Sequence, residues 1–360
     1  MSALLEVEQL EVSFGGRVSA VRGASVSVER GETHCLVGES GCGKSVTALS
    51  ILRLIPTETG RITQGSIRFE GTELTTLAEE EMKSLRGHRI SMIFQEPMTR
   101  LNPVLTVGTQ IAENVVRHMN VPWSSARERA REMLDLVRIA DCKRRIDEYP
   151  HQLSGGMRQR VMIAMALSCE PQVLIADEPT TALDVTVAAR ILELLARLKQ
   201  NFGMAMIFIS HDLGLVRQIA DRVHVMREGE IVEAGFAAEV TANPRHEYSR
   251  MLLAAMPRAR AHNQTDSPVL LRAENISVRF SLRGGLLRAA REIRAVDGVS
   301  LSLKQGRSLG LVGESGSGKS TLARAILKLV PASGIISFDG RDLTPLHRAA
   351  MRPLRRSMQL

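Results

Sequence analysis

Aromatic side chains make up only 3% of this 360-residue sequence, with two tyrosines and one tryptophan. Proteins that hold RNA or single strands stack bases on aromatics set among basic residues, so nucleic acid is not the expected partner despite 47 lysines and arginines. Cysteine is scarce too. Cys35, Cys42, Cys142 and Cys169 form no CxxC pair and no metal-ligand spacing, which argues against disulfides and structural zinc and for a reduced, cytosolic compartment. Long apolar runs are missing: Val161–Leu167 falls far short of the ~18–20 residues that span a bilayer. Met1–Leu10 also lacks a basic stretch followed by an apolar one, so the expectation is a chain that neither crosses a membrane nor is exported. What remains is globular usage, 44% hydrophobic and 24% charged, in a length that suggests two domains. The net charge of +8 suits nucleotide phosphates, an anionic membrane face or nucleic acid and selects none of them alone.

The chain contains a copy of part of itself. Gly38-Glu39-Ser40-Gly41-Cys42-Gly43-Lys44-Ser45 recurs as Gly313-Glu314-Ser315-Gly316-Ser317-Gly318-Lys319-Ser320. Around it, Ala20-Val21-Arg22-Gly23 answers Ala295-Val296-Asp297-Gly298, and Leu52-Arg53-Leu54-Ile55-Pro56 answers Leu327-Lys328-Leu329-Val330-Pro331. A duplication with aligned flanks predicts a duplicated domain. The second copy reaches only to a point level with about Met92 of the first. In copy one the patterns predict β segments at Leu4–Val12 and Ala20–Val28, strand Thr33–Val37, and helix Lys44–Leu54. Further on they predict a helical stretch from Val107 to Ala140, strand Val173–Ala176, helix Val185–Lys199, strand Ala205–Ile209 and a closing β segment near Val223–Val232. Ser125-Ala126-Arg127-Glu128 reads as a capping box opening a helix whose apolar face is Ala130, Met133, Leu134 and Val137.

GxxxxGK[ST] places glycines where backbone must wrap around phosphates, presents amide N–H groups at a helix N-terminus, and adds an ammonium and a magnesium-ligating hydroxyl. Here those are Lys44 and Ser45, followed by Val46, and in copy two Gly313, Gly316, Gly318, Lys319, Ser320 and Thr321. Val173-Leu174-Ile175-Ala176-Asp177-Glu178 is an apolar run delivering two carboxylates. Asp177 suits the Mg²⁺ shell, and Glu178 suits polarising or deprotonating the attacking water. Ser154-Gly155-Gly156 opens a helical run with bare amides at its N-terminus, where an anion can dock.

At these residues the chain resembles the ATP-binding cassette family, whose signature sequence Ser154-Gly155-Gly156 with Gln159 matches. The resemblance implies an α/β fold: a P-loop NTPase cassette with a mixed β-sheet core, an antiparallel β subdomain and an inserted helical subdomain, followed by a partial second cassette. It implies ATP and Mg²⁺ as cofactors, and two cassettes pairing head to tail over the nucleotide. Residue by residue, it implies that Gln95 touches Mg²⁺ and the attacking water, that Asp184 in Thr181-Ala182-Leu183-Asp184 crosses the dimer interface, and that His211 contacts the γ-phosphate. Phe14, with Phe280 in copy two, stands where many members stack an aromatic on adenine. Phe94-Gln95-Glu96-Pro97-Met98-Thr99 and the tail Asn243-Pro244-Arg245-His246-Glu247-Tyr248 are similar to importers of dipeptides, oligopeptides, nickel and glutathione. Tails of that branch that hold an iron–sulfur centre carry a cysteine cluster. No cysteine follows Cys169, so none is expected.

The resemblance implies residues 1–257 as a complete nucleotide-binding domain, 258–267 as linker and 268–360 as an incomplete second one. The expected function is the ATP-hydrolysing subunit of an importer of peptides or related small solutes. Its expected partners are membrane-spanning permeases, a solute-binding protein and a second cassette, at the cytoplasmic side of the inner membrane. Two rivals are a soluble tandem-cassette ATPase acting on ribosomes or nucleic acid, and a defective fragment that binds ATP without coupling it to anything. Copy two, lacking a Walker B strand within these residues, is expected to pack loosely. Cys42, at a helix N-terminus inside the P-loop, is expected to alkylate readily.

Overall fold

A computed structural model describes residues 3–16, 18–95, 100–181, 183, 185–255, 267–282, 291–313 and 316–359. The chain divides into two compact units, one formed by Met1–Leu183 and Val187–Arg258, the other containing Ala259–Leu360. Most of the linker predicted at 258–267 lies outside the described residues, as does Asp184.

The first unit holds two sheets. β1 (Leu5–Phe14), β2 (Val18–Val28), β4 (Gly60–Phe69) and the short β5 (Thr72–Glu73) form an antiparallel sheet in the order β2-β1-β4-β5. The other sheet runs β10-β9-β3-β8-β7-β6. Its members are β3 (Thr33–Val37), β6 (Ile90–Ile93), β7 (Val173–Asp177), β8 (Ala205–Ser210), β9 (Arg222–Arg227) and β10 (Glu230–Phe236). Five of these are parallel, and β10 joins β9 antiparallel. The mixed core, antiparallel layer and helices inserted between β6 and β7 match the expected architecture.

Burial of parallel strands on both faces explains their near-continuous apolar sequences. Leu36, Val173, Ile175, Ala205, Ile207 and Ile209 face the core shared with the antiparallel sheet and the helix Lys44–Ile51. Their neighbours Cys35, Val37, Leu174, Ala176, Met206 and Phe208 face a second core, lined by the helices Val107–Met119, Trp123–Leu136, Gly155–Leu167 and Val185–Phe202. Among the described residues no helix is long and apolar enough to cross a membrane.

Two helix boundaries differ from expectation. The helix predicted from Ser125 starts at Trp123, because Ala126 N–H already donates to Pro122 O at 3.1 Å, and Ser125 caps nothing. Ala130, Met133, Leu134 and Val137 are nonetheless its buried face. The P-loop helix stops at Ile51, because Arg53 turns left-handed (φ 49). Arg53 N–H then bonds Ser50 O and Leu54 N–H bonds Leu49 O, the two bonds of a Schellman ending.

The second unit repeats the first unit's antiparallel sheet. β11 (Val269–Leu282), β12 (Arg291–Lys304), β13 (Ser333–Phe338) and β14 (Arg341–Asp342) are ordered β12-β11-β13-β14 and pack with the helix Lys319–Ile326. Residues 308–312, which answer β3, form no strand. Leu309, Leu311 and Val312 are 48%, 43% and 93% exposed.

Candidate nucleotide site

β3, β6, β7 and β8 all point their C-terminal ends at one edge of the sheet, since Val37 pairs with Ser210, Asp177 with Ile209 and Ile93 with Ala176. Open α/β sheets bind ligands at that edge. Each strand delivers what the sequence predicts: β3 leads into the P-loop, β7 ends on Asp177 before Glu178, β8 precedes His211, and Gln95 follows β6.

In the P-loop, Gly38 (φ 155), Gly41 (φ 83) and Gly43 (φ 109) adopt left-handed backbone that side chains disfavour. The turn is also tight against its neighbours: a Cβ on Gly38 would lie 2.2 Å from Met226 O, and one on Gly43 would lie 2.5 Å from Ala20 O. Lys44 is buried, and its Nζ donates to Gly38 O (2.8 Å) and Glu39 O (2.7 Å). Ser45 Oγ donates to Asp177 Oδ1 at 3.0 Å, which places the predicted metal-ligating hydroxyl and carboxylate side by side. Ser40 and Val46 complete the loop and the first helical turn.

Glu178 is the centre of a second cluster. Its Oε2 accepts from Gln95 Nε2 (3.1 Å) and Thr181 Oγ1 (2.8 Å), and its Oε1 lies 3.3 Å from His211 Nδ1. The residue is left-handed (φ 44), a strained state for a non-glycine, and is held there by Glu178 N–H on Ile209 O and Thr181 N–H on Glu178 O. The two adjacent acids diverge. Burial pushes the Asp177 carboxyl up, only partly offset by the Ser45 hydroxyl. Burial also opposes charge at Glu178, but the hydrogen bonds from Thr181 and His211 outweigh it and hold that carboxyl below its ordinary range. Divergent neighbours of this kind mark acid–base sites.

Other expectations fall elsewhere. Ser154 caps its helix, accepting from Met157 N–H at 3.4 Å, with Gly155 and Gly156 behind it. Gln159 is turned into the core, where its Nε2 finds no partner among the described residues. Phe14 and Ile55 lie against Gly60, where a Cβ would meet them at 2.6 and 2.7 Å. Phe280 stays partly exposed beside its cross-strand partner Ile293. The Cys42 thiol is buried, with Sγ 3.6 Å from Lys44 Nζ, which removes the access that ready alkylation requires. In copy two, Gly313 (φ 154), Gly316 (φ 84) and Gly318 (φ 96) reproduce the loop, with Lys319 Nζ donating to Gly313 O at 2.6 Å before Ser320 and Thr321. Sequence reading took Thr181 as part of an interface loop and missed its bond to Glu178. A hydroxyl three residues beyond an acid was the available signal.

A profile of the ABC transporter family matches residues 21–181 and 296–360, and the chain belongs to that family. It is 48% identical over 362 residues to the peptidoglycan transport ATP-binding protein YejF of Agrobacterium fabrum, covering 99% of this chain and 66% of that protein. It is 46% identical over 394 residues to the glutathione import ATP-binding protein GsiA of Pectobacterium atrosepticum, covering 99% of this chain and 63% of that one. The chain thus spans somewhat less than two thirds of these relatives. Among solved structures, cbiO1 from Clostridium perfringens, part of the ABC transporter complex cbiONQ, is similar with a TM-score of 0.59 at 29% identity, covering 72% of this chain and 97% of that one. The dimeric post-hydrolysis state of the cassette MJ0796 bound to ADP and Pi gives 0.58 at 26% identity, covering 65% and 98%.

Cassettes of this family bind ATP with Mg²⁺, and the residues here fit both. Gly38 and Gly43 leave no room for a Cβ against Met226 O and Ala20 O, Lys44 supplies the ammonium, and the Ser45 hydroxyl beside Asp177 is a hard oxygen donor set of the kind Mg²⁺ takes. When bound, the ion neutralises charge developing on the phosphates. Lys44 and the P-loop amides would hold the phosphates, and Glu178, contacted by Gln95, Thr181 and His211, would be placed to orient water and accept its proton.

Proposed function

We propose that this chain is the ATP-binding and ATP-hydrolysing subunit that powers an importer of peptides or related small solutes. It works as a peripheral protein on the cytoplasmic side of the inner membrane, beneath membrane-spanning permeases served by a solute-binding protein. The observation that carries the reading is the Glu178 carboxylate, charged and held by Gln95, Thr181 and His211 next to the Ser45–Asp177 pair. The names of the relatives, a glutathione import protein and a peptidoglycan transport protein, support a peptide-like cargo. Residues 1–257 act as the complete cassette, Phe14 and Phe280 serve as adenine platforms, and Ser154-Gly155-Gly156 with Asp184 close over nucleotide held by a paired cassette. The test is uptake of labelled glutathione and labelled muropeptide by cells whose chromosomal copy carries Lys44→Ala. Loss of uptake of either solute supports the reading, and unchanged uptake of both contradicts it.

A further inference from the structure

The mechanism above makes no use of the buried hydroxyl of Tyr248. Tyr248 is 2% exposed, and its OH accepts the backbone N–H of Glu39, the second residue of the P-loop, at 3.1 Å, although the two residues stand 209 positions apart. The tail that carries Tyr248 is fastened independently. The Glu233 carboxylate on β10 accepts the N–H groups of Arg245 (2.7 Å) and His246 (3.1 Å). His246 Nδ1 accepts Tyr248 N–H at 3.1 Å, capping the helix Glu247–Ala254. The Arg227 guanidinium from β9 lies over the tyrosine ring, 5.1 Å from its centroid. A rigid seat on β9 and β10 therefore presents one hydroxyl to one P-loop amide.

The Glu39 peptide groups are held from two sides. Tyr248 takes the N–H, while the carbonyl accepts from Lys44 Nζ at 2.7 Å and from Cys42 N–H at 3.4 Å. A phosphate competes with the carbonyls of Gly38 and Glu39 for the N–H donors of Lys44 Nζ and draws it from them as it binds. At that moment the loop loses its strongest internal brace, because hydrogen bonds to a charged donor are roughly twice as strong as neutral ones. The Tyr248 bond involves neither the lysine nor the ligand and persists.

We infer that Tyr248 is a positioning residue: its hydroxyl holds the entry of the P-loop in shape while Lys44 turns to the phosphates, so the tail Asn243–Ala254 is a working part of the nucleotide site. This rests on the ATP-binding reading above and deepens it.

Tyr248→Phe keeps the ring and its stacking with Arg227 and removes only the acceptor. Loss of one neutral hydrogen bond predicts an ATP Kd raised about three- to tenfold, with turnover at saturating ATP unchanged. Hydrogen exchange at the Glu39 amide, followed without nucleotide in the full chain, is expected to speed up about tenfold or more, with an unchanged thermal midpoint. A Kd and a Glu39 exchange rate both equal to wild type overturn the inference alone. A loss of ATP affinity accompanied by falls in turnover and thermal midpoint also overturns it, since that pattern marks a purely structural role. Failure of the wild-type chain to bind ATP at all overturns the functional reading and this inference together.

Discussion

The glycines of the two P-loops share one backbone conformation in two different settings. Gly38, Gly41 and Gly43 have φ values of 155, 83 and 109, and Gly313, Gly316 and Gly318 have 154, 84 and 96. Even the ends of the following helices agree. Arg53 (φ 49) and Lys328 (φ 52) both turn left-handed, and both reach with their cations to carbonyls past the last short strand, Arg53 to Leu74 and Leu77, Lys328 to Leu343, Thr344 and Leu346. The strands leading into the loops share nothing of the kind. Thr33–Val37 is wholly buried between β8 and β9, whereas Val312 is 93% exposed and residues 308–312 pair with no strand among the described residues. Glycines and caps are local devices and form wherever their sequence occurs. A parallel strand is a tertiary object, because its hydrogen bonds and both its apolar faces belong to neighbours. The counterparts of β6 through β10 are absent from residues 268–360, so an apolar strand sequence stays unpaired there.

The largest expected difference between the copies is chemical. Glu178→Gln should lower turnover ~10²–10⁴-fold while leaving Mg²⁺-ATP binding intact, because only the water-orienting charge is lost. Phosphate release and nucleotide affinity measured on one sample check this, and unchanged turnover removes Glu178 from its role. Lys319→Ala, which lies outside the Glu178 cluster, should leave that turnover nearly untouched.

The next difference is in backbone stability. Amides of Thr33–Val37 should exchange at least ~10³-fold more slowly than those of residues 308–312, since the first open only with the core and the second have no ladder bonds. Equal rates would show that the second segment is paired in solution.

A smaller, pH-dependent effect separates the copies further. In copy one, Glu32, His34 and His224 form a buried chain: His34 Nε2 donates to Glu32 Oε2 (2.8 Å), so His34 Nδ1 must accept from His224 Nε2 (3.0 Å). That leaves His224 Nδ1 buried with no partner among the described residues, and a further proton on the pair would have no acceptor among them. Burial lowers the pKa of His34 and pushes that of His224 down to about 3. Because the folded values lie below the unfolded one, this stability is fully present above about pH 6.5 and is lost as pH falls toward about 3, at ~1.4 kcal/mol per pH unit for His224. Denaturant midpoints followed by the fluorescence of Trp123, the only tryptophan, should drop more steeply between pH 6 and 4 in the wild type than in a His34→Leu, His224→Leu double variant. Parallel slopes would show that the pair is not protonated on unfolding.

Much of the first unit was legible in the sequence for the reason the comparison teaches. Thr33–Val37 was readable to the residue, because a short run ending in Cys35-Leu36-Val37 and bounded by Glu32 and Gly38 leads straight into the P-loop, and Ser154 was readable as a cap. The site's members were legible from motif order: Lys44, Ser45, Gln95, Asp177, Glu178 and His211 all converge. What was not legible depends on distance in the chain. Nothing local announces that Tyr248 meets Glu39, that the Cys42 thiol turns inward toward Lys44, or that His34 meets His224 across β3 and β9. The false start at Ser125 had the same cause in miniature. A valid capping pattern lost to a turn that closed three residues upstream on Pro122.

The central proposal is that the P-loop and acids of one chain's copy one are completed by Ser154-Gly155-Gly156 of another's. Chains carrying Lys44→Ala and chains carrying Ser154→Arg should each be inactive alone, since each spoils both sites of its own dimer. Mixed, they should recover phosphate release, because every mixed dimer holds one site with an intact Lys44 facing an intact Ser154. Recovery that grows with total chain concentration is the predicted result. A mixture as inactive as its components, at concentrations where wild-type chains hydrolyse ATP, would contradict the account.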